Sequence, residues 1–252
     1  MSSQRARFAR HFSSHASDYA RYRPTYPPEL FDAVAALVPR HTLCWDAGTG
    51  SGQAAGGLAE HFAEVVATDA SADQIAHATP HPGVTYRVAP AERSGLEDAS
   101  VDLVTAGQAV HWFDQERFFE EVKRVAVPGG AIAVWAYDLL EVEGEGEAVL
   151  RRFYARVERY WPPERALVAH RYADLPFPFE EIPVSHVDMT AHWDLGRTLG
   201  YLSTWSTVKA FQKANHEDPV ATLAPELAAV WGDPAAEKTI SWPLVFRAGR
   251  IA

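Results

Sequence analysis

The chain has 252 residues, 23 Lys plus Arg against 33 Asp plus Glu for a formal charge of -10 at pH 7, and 47% hydrophobic residues. That length supports one enlarged domain or one domain with an inserted cap, and two independent folds would be cramped. The negative charge makes nucleic acid an unexpected partner, and no apolar run approaches the ~20 residues that cross a bilayer.

Residues 1–40 are expected to form a helical lid; Arg5, Arg7 and Arg10 are followed by no apolar stretch, so no secretory signal is read. A core over 41–137 follows, in which short β-branched runs, turns with Gly or Asp, and stretches of helical spacing alternate as in βαβ units. Strands are predicted near Thr42–Asp46, Glu64–Asp69, Val84–Val88, Val101–Ala106 and Ala131–Ala136. The one cysteine, Cys44, sits inside the first of them as a small buried hydrophobe without an internal partner, which fits a reducing cytoplasm. Helices are predicted near Gly52–His61, Ala72–Ala78 and Gln115–Val125; in the last, Phe118, Phe119, Val122 and Val125 share one stripe. Pro128-Gly129-Gly130 stops that helix and turns the chain into the fifth strand. Beyond Tyr137 the rhythm breaks: the Glu141–Glu147 stretch reads as a solvated connection, and an inserted cap is expected over 138–181 with a helix near Ala148–Tyr160. Residues 182–252 are assigned to the remainder of the sheet and its helices, with strands at Ile182–Met189 and Lys238–Arg247 and helices at Leu195–Lys213 and Val220–Gly232. All of it is read as one α/β domain, a doubly wound Rossmann-like sheet with a helical cap.

The chemistry concentrates at Leu43–Gly52, where a strand runs through a glycine-rich turn into a helix, the place at which α/β sheets receive nucleotide-like ligands. Gly48, Gly50 and Gly52 permit positive φ and a close backbone approach. Asp69 ends the second strand 23 residues after Asp46 and is placed to accept hydrogen bonds from ribose hydroxyls. A nicotinamide-dependent oxidoreductase shares a glycine turn and a following acid, but here the spacing is G-x-G-x-G. A carboxylate at Asp46 would repel a pyrophosphate, whereas it suits a ligand carrying an ammonium and a sulfonium.

Asp46-Ala-Gly-Thr-Gly-Ser-Gly52, the strand ending at Asp69, the strand Val101–Val104 and the turn Val127–Gly130 resemble the successive motifs of class I S-adenosylmethionine (SAM)-dependent methyltransferases, in particular those of type 11, from about Thr42 to Trp135. The resemblance implies a seven-stranded, mostly parallel sheet with its last strand antiparallel, and SAM as cofactor with S-adenosylhomocysteine as product. It implies that Asp69 binds the ribose, that Gly48 and Gly50 line the methionine end, that Glu92 contacts adenine and that Gln108 faces the ammonium. Asp46, Thr49, Gly52, Ala70, Ala91 and Tyr19 complete the expected cofactor set. Tyr19–Pro27, Ala109–Asp114 and Tyr201–Ser206 are similar to a narrower branch that contains trans-aconitate methyltransferases.

The acceptor is expected to be a small molecule, with a carboxylate as one candidate; the protein is expected to act as a monomer or homodimer. His111, after the fourth strand, is a candidate general base or acceptor ligand, with packing against Trp112 as its other reading. Arg23 is a candidate bidentate partner for a substrate carboxylate, or an anchor for the N-terminal segment. Tyr22, Tyr26, Trp112, Trp135, Tyr137 and Trp205 are candidate walls of an acceptor pocket, though aromatics also fill cores. The pairs His11/His15 and His77/His81 lack the further ligands a metal needs, so no metal is expected. A catalytically silent SAM-binding protein is the non-enzymatic alternative.

Overall fold

The structure, a computed structural model, describes residues 22–252. The predicted lid therefore falls largely outside the described residues, and its visible part contributes one helix, α1 (Pro28–Ala35), which buries Leu30, Phe31 and Val34. Five strands and three helices follow in the predicted order, with no helix between the third and fourth strands: β1 (Leu43–Ala47), α2 (Gln53–Ala59), β2 (Glu64–Asp69), α3 (Ala72–Ala76), β3 (Val84–Val88), β4 (Val101–Gly107), α4 (Gln115–Val125) and β5 (Ala126–Tyr137). β1, β2, β4 and β5 are buried along nearly their whole length, as strands covered on both faces must be. The stripe on α4 faces the sheet: Phe118, Phe119, Val122 and Val125 are all buried. Asp114 caps α4 by accepting from the Arg117 N–H, and Lys123 and Arg124 occupy its last turn, where positive charge meets the dipole's negative end.

The predicted turn Pro128-Gly129-Gly130 lies inside β5 as an irregularity of the ladder: Val101 pairs Ala126, but Leu103 already pairs Ala131. The seven-stranded sheet has the order β3-β2-β1-β4-β5-β10-β7, where β7 is Glu180–Ile182 and β10 is Leu244–Arg250. β10 is antiparallel to both its neighbours, the expected reversal. Because the chain winds away from β1 in both directions, β1 and β4 are adjacent without being consecutive, and their C-terminal ends open a crevice at the topological switch point.

Four elements after Tyr137 differ from the sequence reading. Glu141–Val142 forms β6, and Glu145 and Glu147 lie in the first turn of α5 (Glu145–Val157), where carboxylates favour the helix dipole. The predicted strand Ile182–Met189 is interrupted, because Pro183 cannot donate to a ladder; β8 begins only at Met189 and runs to Trp193. The predicted helix Leu195–Lys213 is two, α7 (Leu195–Ser203) and α8 (Ser206–Asn215). At their break the Ser203 and Thr204 hydroxyls donate back to the carbonyls of Gly200 and Tyr201, and extended Trp205 re-starts the chain. Lys238–Arg247 is split at Pro243 into β9 (Lys238–Trp242) and β10, which serve different sheets.

β6, β9 and β8 form a three-stranded antiparallel sheet. With α5, α7, α8 and α9 (Pro219–Trp231) it encloses a second apolar cluster, in which Phe153, Trp193, Tyr201, Trp205 and Trp242 pack ring against ring. The chain on both sides of position 182 contributes to this cluster. A short helix, α6 (Ala166–Ala169), lies against the main core instead, through Val168. No helix among the described residues is long and apolar enough to cross a membrane.

Candidate active site

At the end of β1 the chain passes through Gly48, Gly50 and Gly52, all at positive φ (69°, 58° and 85°). The Gly48 and Thr49 N–H groups both donate to the Thr68 carbonyl (2.8 and 2.9 Å), which ties the turn to β2. Gly48 has no room for a side chain: a Cβ there would lie 2.7 Å from Ala109 Cβ and 2.8 Å from the Phe113 ring. Gly50 is the opposite case, since among the described residues a Cβ there would make no more than an ordinary contact, with Gln74 Oε1 at 3.9 Å. Asp69 reaches across to this turn, its Oδ2 accepting from the Gly50 N–H (2.9 Å) and its Oδ1 from the Ser71 N–H (2.8 Å). A carboxylate offers about four lone-pair sites, so Asp69 retains capacity for two further donors.

Asp46 is 1% exposed; its Oδ1 accepts from the Thr105 hydroxyl (2.8 Å), while Oδ2 has no hydrogen-bond partner among the described residues. Burial above all raises the Asp46 carboxyl to about 6; the Thr49 and Thr105 hydroxyls lower it and the charge of Asp69 raises it further. The Thr49 hydroxyl thus acts on Asp46 by proximity, without a well-formed bond. Burial likewise raises Asp69, against the lowering effect of its two backbone bonds.

Gln108 follows β4 with φ 53°, a left-handed conformation that costs a non-glycine residue about 1–3 kcal/mol and collects at functional sites. It is held there by its N–H on the Trp135 carbonyl (2.8 Å) and its Nε2 on the Tyr137 carbonyl (3.1 Å), which leaves Oε1 buried without a partner among the described residues. Asp46, Gly48, Thr49, Gly50, Asp69 and Gln108 line one cleft of about 710 Å³, counting its open mouth. Tyr26, Trp112 and Tyr137 wall the same cleft.

A family model described as a methyltransferase domain matches residues 45–134, the stretch that carries the turn and strands β2 to β5. A methyltransferase-family protein of Dictyostelium discoideum is 34% identical over 212 residues, 82% of this chain and 81% of that protein. The chain is a class I SAM-dependent methyltransferase. A structure described as a type II methyltransferase from Anaeromyxobacter dehalogenans is 45% identical, covers 91% of this chain and 98% of its own, and superposes with a TM-score of 0.87. A geranyl diphosphate C-methyltransferase from Streptomyces coelicolor, in complex with Mg2+, geranyl diphosphate and S-adenosylhomocysteine, shares the fold at 13% identity, with 99% and 98% coverage and a TM-score of 0.50.

The residues of this methyltransferase fit the cofactor its family implies. Two buried carboxylates and the unpartnered Gln108 Oε1 present acceptors to a cationic ligand, and bare Gly50 admits it against the backbone. Gln74, Gln53, Ser51, Ala54, Gly107 and Ala109 also line the cleft and were absent from the sequence-derived set. Gln74 had a signal: Ser71-x-x-Gln74 is a capping pattern, realised as the Gln74 N–H donating to Ser71 Oγ, which fixes Gln74 in the first turn after Asp69.

Other predicted site residues lie outside the lining. Gly52 closes the turn beneath Tyr86, Ala70 is exposed beside Asp69, Ala91 belongs to the core, and Glu92 accepts from the Asp114 N–H at the start of α4. Trp135 is fully buried in the sheet and touches Tyr26 edge-on (5.8 Å). Trp205 is in the second core, stacked on Tyr154. Tyr22 packs on Gly200 of α7, and Arg23 donates to Tyr137 Oη (2.8 Å) with its guanidinium 5.6 Å from the Tyr201 ring. His111 is 8% exposed and shares a hydrogen bond with Tyr172 Oη (3.2 Å); burial foremost, then the Arg165 charge, hold it down at about 3. Tyr19 lies outside the described residues. No group of three or more metal-ligating side chains occurs among the described residues.

Proposed function

We propose that this cleft binds SAM and that the enzyme transfers its methyl group to a small-molecule acceptor entering beside Tyr26, Trp112 and Tyr137. The observation that carries the reading is the convergence of two buried acceptors without a partner among the described residues, Asp46 Oδ2 and Gln108 Oε1, with Asp69 on one glycine-lined wall at the switch point. Asp69 accepts from the ribose hydroxyls, Gln108 and Asp46 face the ammonium and the sulfonium charge, and Gly48, Thr49 and Gly50 line the amino-acid end. Gln74 joins this set from the first turn of α3. When bound, SAM supplies an electrophilic methyl carbon. The protein's task is then to keep the acceptor atom in line with that carbon, and such positioning contributes about 7–11 kcal/mol.

Tyr26, Trp112 and Tyr137 hold the acceptor by ring contact and exclude water. Arg23 places a positive charge directly behind the Tyr137 hydroxyl, which favours an acceptor bearing a carboxylate, the feature shared with the narrower branch that Tyr19–Pro27 resembles. A carboxylate is nucleophilic once ionised and needs no base. The neighbour with geranyl diphosphate bound supports a small organic acceptor on this fold. The test is transfer of labelled methyl from SAM across panels of small acids, phenols and amines. Turnover confined to acids, lost selectively in Arg23→Ala, supports the carboxylate reading; equal loss on neutral acceptors makes Arg23 an anchor, and no turnover on any panel removes the small-acceptor reading.

A further inference from the structure

Two strands deliver the outer wall of the cleft: β4 through the loop that carries Gln108 and Trp112, and β5 through its last residue, Tyr137. Each is tied, at the residue next to a wall residue, to one stretch of chain between the two cores. Asp138, directly after Tyr137, is paired through Oδ1 with Arg165 Nη2 (2.5 Å), and the guanidinium lies 4.6 Å from the Trp161 ring. His111, directly before Trp112, meets Tyr172 Oη through Nδ1 (3.2 Å), its ring 5.1 Å from that of Trp112.

The stretch is built to hold this shape. Arg171 and Tyr172 are consecutive non-glycine residues in the left-handed region, at φ 54° and 56°, a conformation that persists only where its surroundings over-determine it. The Tyr172 N–H donates to the Leu167 carbonyl (2.7 Å), and Arg247 donates from one nitrogen to the carbonyls of Tyr172 (2.8 Å) and Leu175 (3.1 Å) while pairing with Glu181. Tyr172 in this strained turn is fully buried, and its hydroxyl meets His111. The loop it holds packs straight onto the cofactor turn, since Ala109 and Phe113 fill the space in which Gly48 would carry a Cβ.

We infer that the Pro163–Leu175 stretch is a clasp that fixes the β4 and β5 exits against the glycine turn, and that His111 and Tyr172 are its positioning pair. His111 suits a bond of this kind better than proton transfer: accepting a proton would place a second cation beside Arg165 in a buried site. The inference rests on the cleft being the SAM site.

The test is calorimetric titration of the full-length protein with S-adenosylhomocysteine. Wild type must bind, and its failure to do so would sink the cofactor reading and the clasp together. Given binding, Tyr172→Phe and His111→Phe are each expected to raise the dissociation constant about three- to tenfold, the scale of one net hydrogen bond. The double variant should be no weaker than either single one, because both remove the same bond. His111→Asn, whose amide can replace Nδ1 toward Tyr172, should bind within about twofold of wild type, again judged against one hydrogen bond. Thr207→Val is the control: it removes an equally buried hydroxyl bond, to the Val157 carbonyl rather than to either loop, and should leave the affinity unchanged. Unaltered affinity in Tyr172→Phe, or an equal loss in Thr207→Val, would overturn the assignment in favour of generic packing. Tyr172→Phe retains the ring, so the measurement survives even if a His111 variant fails to fold.

Discussion

Asp46→Asn should make the ligand-free protein more stable and a poorer binder of SAM. Folding carries this carboxyl from 3.8 up to about 6, a little over two units, and at 1.36 kcal/mol per unit the ionised group costs the fold about 3 kcal/mol at pH 7.5. Asparagine keeps an oxygen for the Thr105 hydroxyl and discards the charge, so a gain of about 1–3 kcal/mol is expected, or roughly 3–10 °C in Tm for a chain of this size. The sign of the pH dependence follows from the raised value. Between about 4 and 6 the folded protein still holds a proton that the unfolded chain has released, so wild-type stability falls as pH rises through that window. The variant lacks that dependence, and its advantage should shrink from pH 7.5 to pH 4.5. The assay is paired thermal melts of wild type and variant across pH 4.5–8, with SAM titrations at pH 7.5. A variant less stable than wild type at pH 7.5, or an advantage independent of pH, would show that the buried Asp46 charge does not cost the fold stability.

Asp69→Asn is expected to weaken SAM binding by about 1.5–3 kcal/mol, read by calorimetry, and to lower Tm as well, since Asp69 also anchors the Gly50 and Ser71 N–H groups. Gly48→Ala and Gly50→Ala should part company in the same two assays. The first adds a collision with Ala109 and Phe113 to the unfavourable φ and chiefly destabilises the fold; the second pays only the φ strain of about 1–2 kcal/mol but puts a methyl into the cleft and chiefly weakens cofactor binding. Trp205→Ala should lower stability by about 3–5 kcal/mol in denaturant melts, because it empties part of the second core, and Trp205→Phe should recover much of that loss.

Most of the first half of the fold was legible because local pattern and tertiary role coincide there. β1 to β4 are short, largely apolar or β-branched runs set off by turns, and the buried α4 stripe faces the sheet. Asp46, Gly50 and Asp69 were legible for the same reason: their spacing along one βαβ unit brings them to one cleft without help from the rest of the chain. What failed to show in the sequence depends on partners far away. Glu141–Glu147 read as a repelling row until β9 paired with it and α5 took up its charges, and the Lys238–Arg247 run concealed a change of sheet at Pro243. The aromatic residues sort by tertiary packing alone, which sends Tyr26, Trp112 and Tyr137 to the cleft and Trp205 to the second core. His111 sits at the sheet edge as its position after β4 requires, but its burial against Tyr172 depends on a turn 61 residues away.

A crystal structure of the protein grown with S-adenosylhomocysteine decides whether the cofactor occupies this cleft. The adenosyl amino acid is expected against Gly50, its sugar hydroxyls on Asp69 and its ammonium within hydrogen-bonding reach of Gln108 or Asp46. Electron density for the ligand at any other place, or a cleft closed by side chains while ligand binds elsewhere, would contradict it.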